Sequence, residues 1–271
     1  MLSVNTNPGA LTALQYLNST NAQLQATGSA INSGLKVASA KDNGAIFAIA
    51  QNMRGNVAGY SAVSDSLNRA SSVVDTGLSA AQSVSDLLIQ MKQNALAAAD
   101  TSLDATSRAS LAQDFQALSD QITTIVENAS FNGINIVNGA GAGVSALASA
   151  NDPDQTISVA AQDLTVAELD VDAAYTDQAT AKTMVGTVST AIATVNTALS
   201  ALSSGSKKFS IQASFVSKLS DTLTSGIGNL VDADMARESA LLTALQTKQQ
   251  LGVQALAIAN AAPQTILSLF R

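Results

Sequence analysis

The two ends of the chain carry almost no charge, although both have the residue spacing of helices. Residues Met1 to Leu35 contain no Asp, Glu, Lys or Arg, and Ser239 to Arg271 contain only Lys248 and Arg271. A helix in a soluble monomer normally keeps charged residues on its solvated face. Helical segments that lack such a face are therefore expected to be completed by packing on each other and on copies of themselves.

The composition favours long helices that pack closely side by side. Hydrophobic residues make up 46% of the 271 residues, but only 3% are aromatic and 12% are charged, against about 25% charged in an average globular domain. The net charge of −7 argues against nucleic acid and anionic membrane surfaces as partners, because both are negatively charged themselves. No run of eighteen uninterrupted apolar residues occurs, so no transmembrane helix is expected.

The first helix is expected to begin with Asn7 as its cap and Pro8 as its first residue. Apolar residues then recur every seven positions, at Ala10, Leu17, Leu24 and Ile31. A second, only partly apolar seam follows Leu14, Asn21 and Gly28. The break at residues 32–34 and the first charges after it indicate a non-helical joint that extends to Gly44.

Two further helices are predicted before the pattern changes. The longer runs from about Ala45 to Ala98, roughly 80 Å at about 1.5 Å per residue, and residues 100–102 are expected to end it and to cap the next helix, about Leu103 to Ala129. Its heptad seam is apolar at eight of eleven positions: Met53, Val57, Tyr60, Ser64, Leu67, Ser71, Val74, Leu78, Ala81, Ser85 and Leu88. The seam of the shorter helix is Leu111, Phe115, Leu118, Ile122 and Ile125.

A small β-hairpin is predicted around residues 134–172, after the turn Phe131-Asn132-Gly133. Helical spacing returns near Asp177, with a possible interruption at Gly205, and continues to the neutral C-terminal end. The returning seam is Ala181, Val185, Val188, Ile192, Val195, Leu199 and Leu202. The predicted fold is therefore mainly α: an elongated antiparallel coiled-coil rod with a small β-hairpin element and with its N- and C-termini paired at one end.

The sequence offers little for catalysis or metal binding. It contains no His and no Cys, so the commonest general base, metal ligand and thiol nucleophile are absent. Asp152, Asp154 and Thr156 are conceivable oxygen ligands for Ca²⁺, but a polar turn around Pro153 is the favoured interpretation. Asp232, Asp234 and Glu238 are interpreted as a solvated helix face. We expect no enzymatic activity and no cofactor.

Separated motifs give the chain a specific resemblance to the bacterial flagellins, and in particular to the short alphaproteobacterial ones without large outer domains. The N-terminal motifs are residues 4–7, 31–37 and 39–42, followed by the Phe131-Asn132-Gly133 turn. The C-terminal motifs are residues 229–236, 249–252, 257–260, 263–264 and 269–271. The resemblance covers about residues 1–135 and 177–271.

The resemblance implies a structural subunit that polymerises into the extracellular flagellar filament for swimming motility. Residues 1–40 and 232–271 would form the inner-core helical pair, and residues 41–231 the rod-like outer core with the β region 134–172. Export would use the flagellar type III apparatus, in agreement with the lack of a basic and apolar Sec-type signal after Met1. The implied partners are many copies of the chain, with other flagellins among the candidates, an export chaperone, and the hook-associated and cap proteins.

Specific residues are expected to carry these roles. The assembly and core-packing residues are Leu11, Leu14, Leu17, Leu24, Ile31, Leu242, Leu245, Leu256, Leu267 and Arg271. By resemblance, the chaperone contacts are Leu241, Leu245, Leu256 and Ile266. The neutral ends are expected to be disordered in the monomer and to fold on assembly, because burial of apolar surface in the polymer supplies the free energy of ordering.

The stretch equivalent to the one read by the vertebrate innate receptor departs from the flagellin pattern. It contains Gln90, Lys92, Gln93 and Asn94. Gln90 stands where the resemblance calls for an arginine, and Asn94 where it calls for a leucine, so weak recognition is expected. Two alternatives to a filament subunit stay open at this point: a hook–filament junction protein, and a secreted coiled-coil adhesin or translocator.

Overall fold

The described residues form five helices and two antiparallel strand pairs, in agreement with the predicted mainly α fold. The structure, a computed structural model, describes residues 6–267 and the side chains as far as residue 261. The helices are α1 Pro8–Ser33, α2 Ala40–Ala98, α3 Ala105–Asn128, α4 Gln178–Val231 and α5 Met235–Leu267. The strands are β1 Ser130–Phe131, β2 Ile134–Asn135, β3 Val144–Leu147 and β4 Thr156–Val159.

The chain divides into two compact units. One is formed by the described parts of Met1–Gly55 and Thr222–Arg271, and the other by Asn56–Asp221. We call them the terminal unit and the central unit. The terminal unit contains α1, α5 and the adjoining ends of α2 and α4, whereas the central unit contains α3, the strands and most of α2 and α4.

Local residues determine both ends of α1 as predicted. Asn7 accepts a hydrogen bond from the Ala10 backbone N–H at 3.1 Å, and Pro8 is the first helical residue. Gly34 ends the helix in the left-handed conformation, with φ of 72°, and its N–H donates to the Ala30 carbonyl at 2.9 Å. The joint that follows is also confirmed: residues 40–42 form only a short turn, because Asn43 has a non-helical backbone and its side chain caps the long helix at Ile46 N–H.

Two sequence predictions about helix ends are wrong. Asp104 caps α3, not residues 100–102: its Oδ1 accepts from Thr106 and Ser107 N–H, and the Ser107 backbone hydrogen bond lowers the pKa of Asp104. Asp234 lies outside any helix and caps α5 by accepting from Ala236 and Arg237 N–H. Both carboxylates therefore stabilise the N-terminal ends of helices, where free backbone N–H groups carry partial positive charge. Asp234 is not part of a solvated helix face.

Gly205 does not interrupt α4. It is buried within the helix, where an added Cβ would lie 2.5 Å from Cγ2 of Val159 on β4. Gly77 of α2 likewise faces Ile136, whose Cδ1 would be 2.9 Å from an added Cβ. Both glycines are required where the β region packs closely on a helix.

The core of the central unit follows heptad seams, but the predicted seams are displaced at every second position. In the central unit the buried seam of α2 consists of Val63, Leu67, Ala70, Val74, Gly77, Ala81, Val84, Leu88, Met91, Ala95 and Ala98, and Val73 and Ala80 are buried beside it. Four predicted residues, Leu67, Val74, Ala81 and Leu88, are correct. The other set is wrong by one residue, because Ser64, Ser71, Leu78 and Ser85 are only half-buried. The same displacement occurs in α4, where Ala191 and Ala198 are buried in place of Ile192 and Leu199.

The β region holds two hairpins where one was predicted. β1 and β2 enclose the Phe131-Asn132-Gly133 turn, with positive φ at both Asn132 and Gly133, as a two-residue type I′ turn requires. β3 and β4 form the second antiparallel pair, from Val144 opposite Val159 to Leu147 opposite Thr156. At the tip of this second hairpin, Asp152 Oδ1 accepts from Asp154 N–H at 3.1 Å, so these residues form a polar turn.

One helix among the described residues, α4, is long and apolar enough to cross a membrane when only length and composition are considered, with an 18-residue window of mean hydropathy 1.3. Its buried seam packs into the core of the central unit, and a helix of such a core needs the same apolar composition.

Candidate assembly surfaces

The neutral ends pack together as an antiparallel pair, α1 against α5. Asn7 Nδ2 donates to the Ala259 carbonyl at 2.7 Å, and Gln249 Nε2 donates to Asn21 Oδ1 at 2.7 Å. Between these two hydrogen bonds, Gly252 lies beside Leu17. The two polar contacts fix the register of a seam that apolar packing alone would leave free to slide.

Each helix of the pair buries one narrow face. On α5 the least exposed positions recur at steps of four and three: Glu238, Leu242, Leu245, Gln249, Gly252, Leu256 and Ala259. On α1 they include Ala10, Ala13, Leu17, Leu24, Thr27 and Ile31. Leu245 is the most completely buried apolar residue of the pair, with 2% of its surface exposed, and the register places it level with Leu24.

The opposite faces of the pair are apolar and exposed. Ile258 is 73% exposed. The other large exposed hydrophobic residues described on α1 and α5 are Leu11, Leu14, Tyr16, Met235, Leu241, Leu251 and Val253. No charged residue interrupts this surface on α1, and on α5 only Lys248 lies beyond the first turn among residues up to Leu267. A helix pair with so few charges and with apolar residues on its outer faces is typical of a protein–protein interface.

The predicted assembly residues fall into two groups in this pair. Leu17, Leu24, Ile31, Leu242, Leu245 and Leu256 lie on the seam between the helices, and Leu11 and Leu14 lie on the exposed face. Leu241, predicted as a chaperone contact, is also exposed. The Ile266 and Leu267 side chains and all of Arg271 lie outside the described residues.

The predicted joint after α1 contacts the segment between α4 and α5, and the sequence analysis did not predict this contact. The N–H groups of Lys36 and Val37 donate to the Val231 carbonyl, at 2.8 and 3.3 Å, and Ala233 N–H donates to the Gly34 carbonyl at 2.9 Å. Val37, Ala50 and Val231 form a separate buried cluster beneath these bonds. Lys36 Nζ donates to the Asn229 carbonyl at 3.1 Å.

The two segments that form this contact belong to two of the motifs on which the family resemblance rests. Residues 31–37 and 229–236 are the two motifs, and the structure brings them together. Single-sequence spacing could not pair them, because almost two hundred residues separate them and neither motif has a distinctive hydropathy period.

The stretch predicted to correspond to the one read by the innate receptor is only partly exposed. Gln90 and Gln93 are exposed, but Lys92 and Asn94 are half-buried. Asn94 Oδ1 accepts a hydrogen bond from the Tyr175 hydroxyl, and the Tyr175 ring packs edge-on against Phe115, with 5.5 Å between ring centroids. Burial raises the pKa of Tyr175 to about 12, so its hydroxyl stays a neutral donor at physiological pH.

Comparisons with known proteins agree with this architecture. Residues 4–142 match the model of the bacterial flagellin N-terminal helical region, and residues 185–270 match that of the C-terminal helical region. Flagellin FljN and Flagellin FljM of Caulobacter vibrioides are 49% and 50% identical to the chain over 99% of its length and 98% of theirs. A flagellin of Brucella melitensis is 36% identical over the whole of both chains.

A solved structure, that of Bacillus cereus flagellin, is 27% identical with a TM-score of 0.45, and the match covers 60% of this chain and 91% of that one. The two family models and the full-length relatives lead to one assignment. The chain belongs to the bacterial flagellin family.

Proposed function

We propose that this flagellin builds the filament through the exposed faces of its α1–α5 pair. As a member of its family, the protein is a structural subunit that polymerises into the bacterial flagellar filament outside the cell. The observation that supports our assignment of the surface is the row of exposed apolar residues on a helix pair with few charges. Apolar surface removed from water contributes about 25 cal/mol per Å², so each neighbouring copy that covers this row stabilises the polymer.

We infer a division of the chain into an inner and an outer core. Residues 1–40 and 232–271 form the inner core, in which nearly every side of the helix pair faces another chain. Residues 41–231 form the outer core, which carries most of the charge and the β region. The hydrogen bonds from Lys36 and Val37 to Val231 support this division, because they lie close to both proposed boundaries, at residues 40–41 and 231–232.

We also propose that an export chaperone binds α5 as an alternative to α1. Leu245 and Leu256 lie on the seam that α1 covers, whereas Leu241 is exposed. A chaperone that contacts all three residues therefore needs α5 separated from α1. The hook-associated and cap proteins are proposed to meet the same neutral helices at the ends of the filament.

Seeded elongation tests the proposed surface. Purified protein added to short filament seeds is expected to form long helical filaments in electron micrographs. In parallel, amide exchange at residues 8–30 is expected to be fast in the monomer and strongly protected in the filament, because neighbouring copies complete the burial of α1. Residues of the α2 seam serve as the internal control, since they are buried in both states.

Two outcomes would contradict this assignment. Failure of the wild-type protein to elongate the seeds would reject polymerisation through this surface. Full protection of residues 8–30 in the monomer would show that the pair is complete without neighbours.

Weak innate-receptor signalling is a further expected result. Gln90 lacks the charge of the arginine that the flagellin pattern has there, and Asn94 is engaged by Tyr175 within the chain. In a cellular reporter assay, we expect the concentration for half-maximal response to be at least about ten times higher than that of enterobacterial flagellin. A tenfold loss of affinity is the size expected when one charged contact is lost. A response of equal strength at equal concentration would refute the expectation.

A further inference from the structure

A small groove in the central unit lies between α2, the β1–β2 hairpin and the edge of β3. Its walls include Ser66 and Arg69 of α2, Phe131 and Ile134 of the hairpin, and Ser145 of β3, and we call it the hairpin groove. Its volume of about 210 Å³ is below the roughly 300–1,000 Å³ of sites that enclose a drug-sized ligand. The groove therefore suits one side chain with its backbone better than a cofactor.

Apolar side chains form the floor and one wall of the hairpin groove. Val73 and Val144 are buried beneath it, whereas Phe131 and Ile134 are each 40% exposed. Phe131 and Ile134 lie opposite each other in the hairpin, so their side chains are on the same face. An aromatic and an aliphatic side chain thus present apolar surface to a ligand at one place.

One cation lies beside this apolar surface. The Arg69 guanidinium forms no hydrogen bond and no ion pair with the part of the chain that the structure describes, although Asp65 is only one turn earlier on α2. In contrast, Arg108 of the same unit donates to three backbone carbonyls. A guanidinium binds a carboxylate through two parallel hydrogen bonds, so Arg69 offers a site for a ligand carboxylate.

The edge of β3 adds a backbone donor on the groove side. Ala148 N–H donates to the Gln155 carbonyl at 2.8 Å, and in an antiparallel pair the alternate residues point their N–H and C=O groups to the other side. Leu147 follows this rule, because its N–H donates to Ser66 Oγ on α2 at 3.2 Å. The Ser145 N–H points to the same side and forms no hydrogen bond within residues 6–267.

We propose that the hairpin groove binds the carboxyl-terminal end of an extended peptide whose last side chain is apolar. The terminal carboxylate accepts hydrogen bonds from Arg69, a peptide carbonyl accepts from Ser145 N–H, and the last side chain packs on Phe131 and Ile134. The partner is a protein with a free, apolar carboxyl terminus. The inference goes beyond filament formation, because it gives the central unit a contact with a different protein.

The strand edge explains why the ligand is the end of a peptide and not an internal strand. An added strand needs a series of donors along the edge of β3, but the next N–H on this side, that of Leu147, is already bound to Ser66. Only the Ser145 N–H is available, which is enough for one residue at the end of a chain. The charge agrees, since a carboxyl terminus brings one carboxylate to one arginine.

Fluorescence anisotropy tests the site in the purified full-length monomer. The probe is the peptide Gly-Ser-Thr-Val-Leu, labelled with fluorescein at its amino end and free at its carboxyl end. We expect saturable binding with a Kd below about 1 mM. The same peptide with a terminal carboxamide is expected to bind at least about ten times more weakly, because it loses the charge-assisted hydrogen bonds to Arg69.

Variants of the protein separate the two polar contacts. Arg69→Gln is expected to weaken binding at least about tenfold, whereas Lys207→Gln, which removes an exposed cation of α4, leaves it unchanged. Ser145→Pro removes the free N–H and is expected to weaken binding about fivefold, the size of one neutral hydrogen bond. Ser145→Ala keeps that N–H and is expected to bind as the wild type does. Thermal unfolding checks that each variant is folded, and Arg69→Gln alone decides if Ser145→Pro is not.

Three results would overturn the proposal: no saturable binding up to about 1 mM peptide, equal affinity for the acid and amide peptides, or equal affinity of the wild type and Arg69→Gln. Octanoate has a carboxylate and an apolar chain but no peptide groups, so it is expected to displace the probe only at concentrations at least about ten times higher than unlabelled peptide does. Displacement at the same concentration would reject a peptide partner and assign the groove to small apolar carboxylates.

Discussion

Leu245→Asp is expected to abolish seeded filament elongation, with a loss of at least about a hundredfold in rate. Leu245 is 2% exposed in the α1–α5 seam, and α1 has no lysine or arginine as far as Leu35 that could neutralise a carboxylate there. Burial of an unpaired polar group costs about 2–7 kcal/mol, and about 1.4 kcal/mol corresponds to a factor of ten. The helix pair therefore separates, and the exposed faces are no longer held in the arrangement that neighbours recognise.

The matched variant is Leu245→Met, which keeps the volume and apolar character of the side chain and is expected to elongate at close to the wild-type rate. Elongation is measured by light scattering and electron microscopy. Because Leu245 belongs to the terminal unit, the circular dichroism of the central unit is expected to survive in both variants. Normal elongation of Leu245→Asp would show that the seam is not needed in the filament.

Gly143→Ala is expected to destabilise the central unit by about 3 kcal/mol or more. Gly143 has φ of 101°, and an added Cβ would lie 2.1 Å from the Val159 carbonyl oxygen and 2.9 Å from the Ala160 Cα. Both neighbours are backbone atoms, one in the last residue of the paired strand and one in the residue after it, so they cannot turn away as a flexible side chain can. The substitution adds backbone strain to this clash. To relieve it, the β3–β4 hairpin has to move away from α4, where Val159 packs against Gly205.

Gly141→Ala is the control two residues earlier in the same loop. Its added Cβ would meet nothing nearer than the Asn135 carbonyl oxygen at 3.4 Å, so its free energy of unfolding is expected to change by less than about 1 kcal/mol. Thermal unfolding of the monomers measures both, and at about 2–4 °C per kcal/mol for a unit of this size we expect Gly143→Ala to lower the melting temperature by roughly 10 °C. Equal melting temperatures for the two variants would contradict the structural explanation.

The seams show where sequence reasoning succeeded and where it could not. The repeat through Leu67, Val74, Ala81 and Leu88 was correct, because one set of large apolar residues at heptad spacing has to be buried. The second set was displaced by one residue, from Ser71 and Leu78 to Ala70 and Gly77. Hydropathy favours the larger residue, but close approach of Ile136 requires the smallest one at position 77.

The chain's own residues determined its helix ends at Asn7, Gly34 and Asn43, since capping depends on one side chain and the few backbone groups beside it. They also determined the neutral character of the two ends, and therefore that the apolar faces of these ends have to be covered by other protein chains. Only the tertiary structure decided that Leu245 faces α1 while Leu241 faces outward, that two motifs far apart in the chain form one joint, and that Asn94 is held by Tyr175. The reason is physical: a helix can bury any of several neighbouring faces at similar local free energy, and the face that is buried is selected by the surface that packs against it.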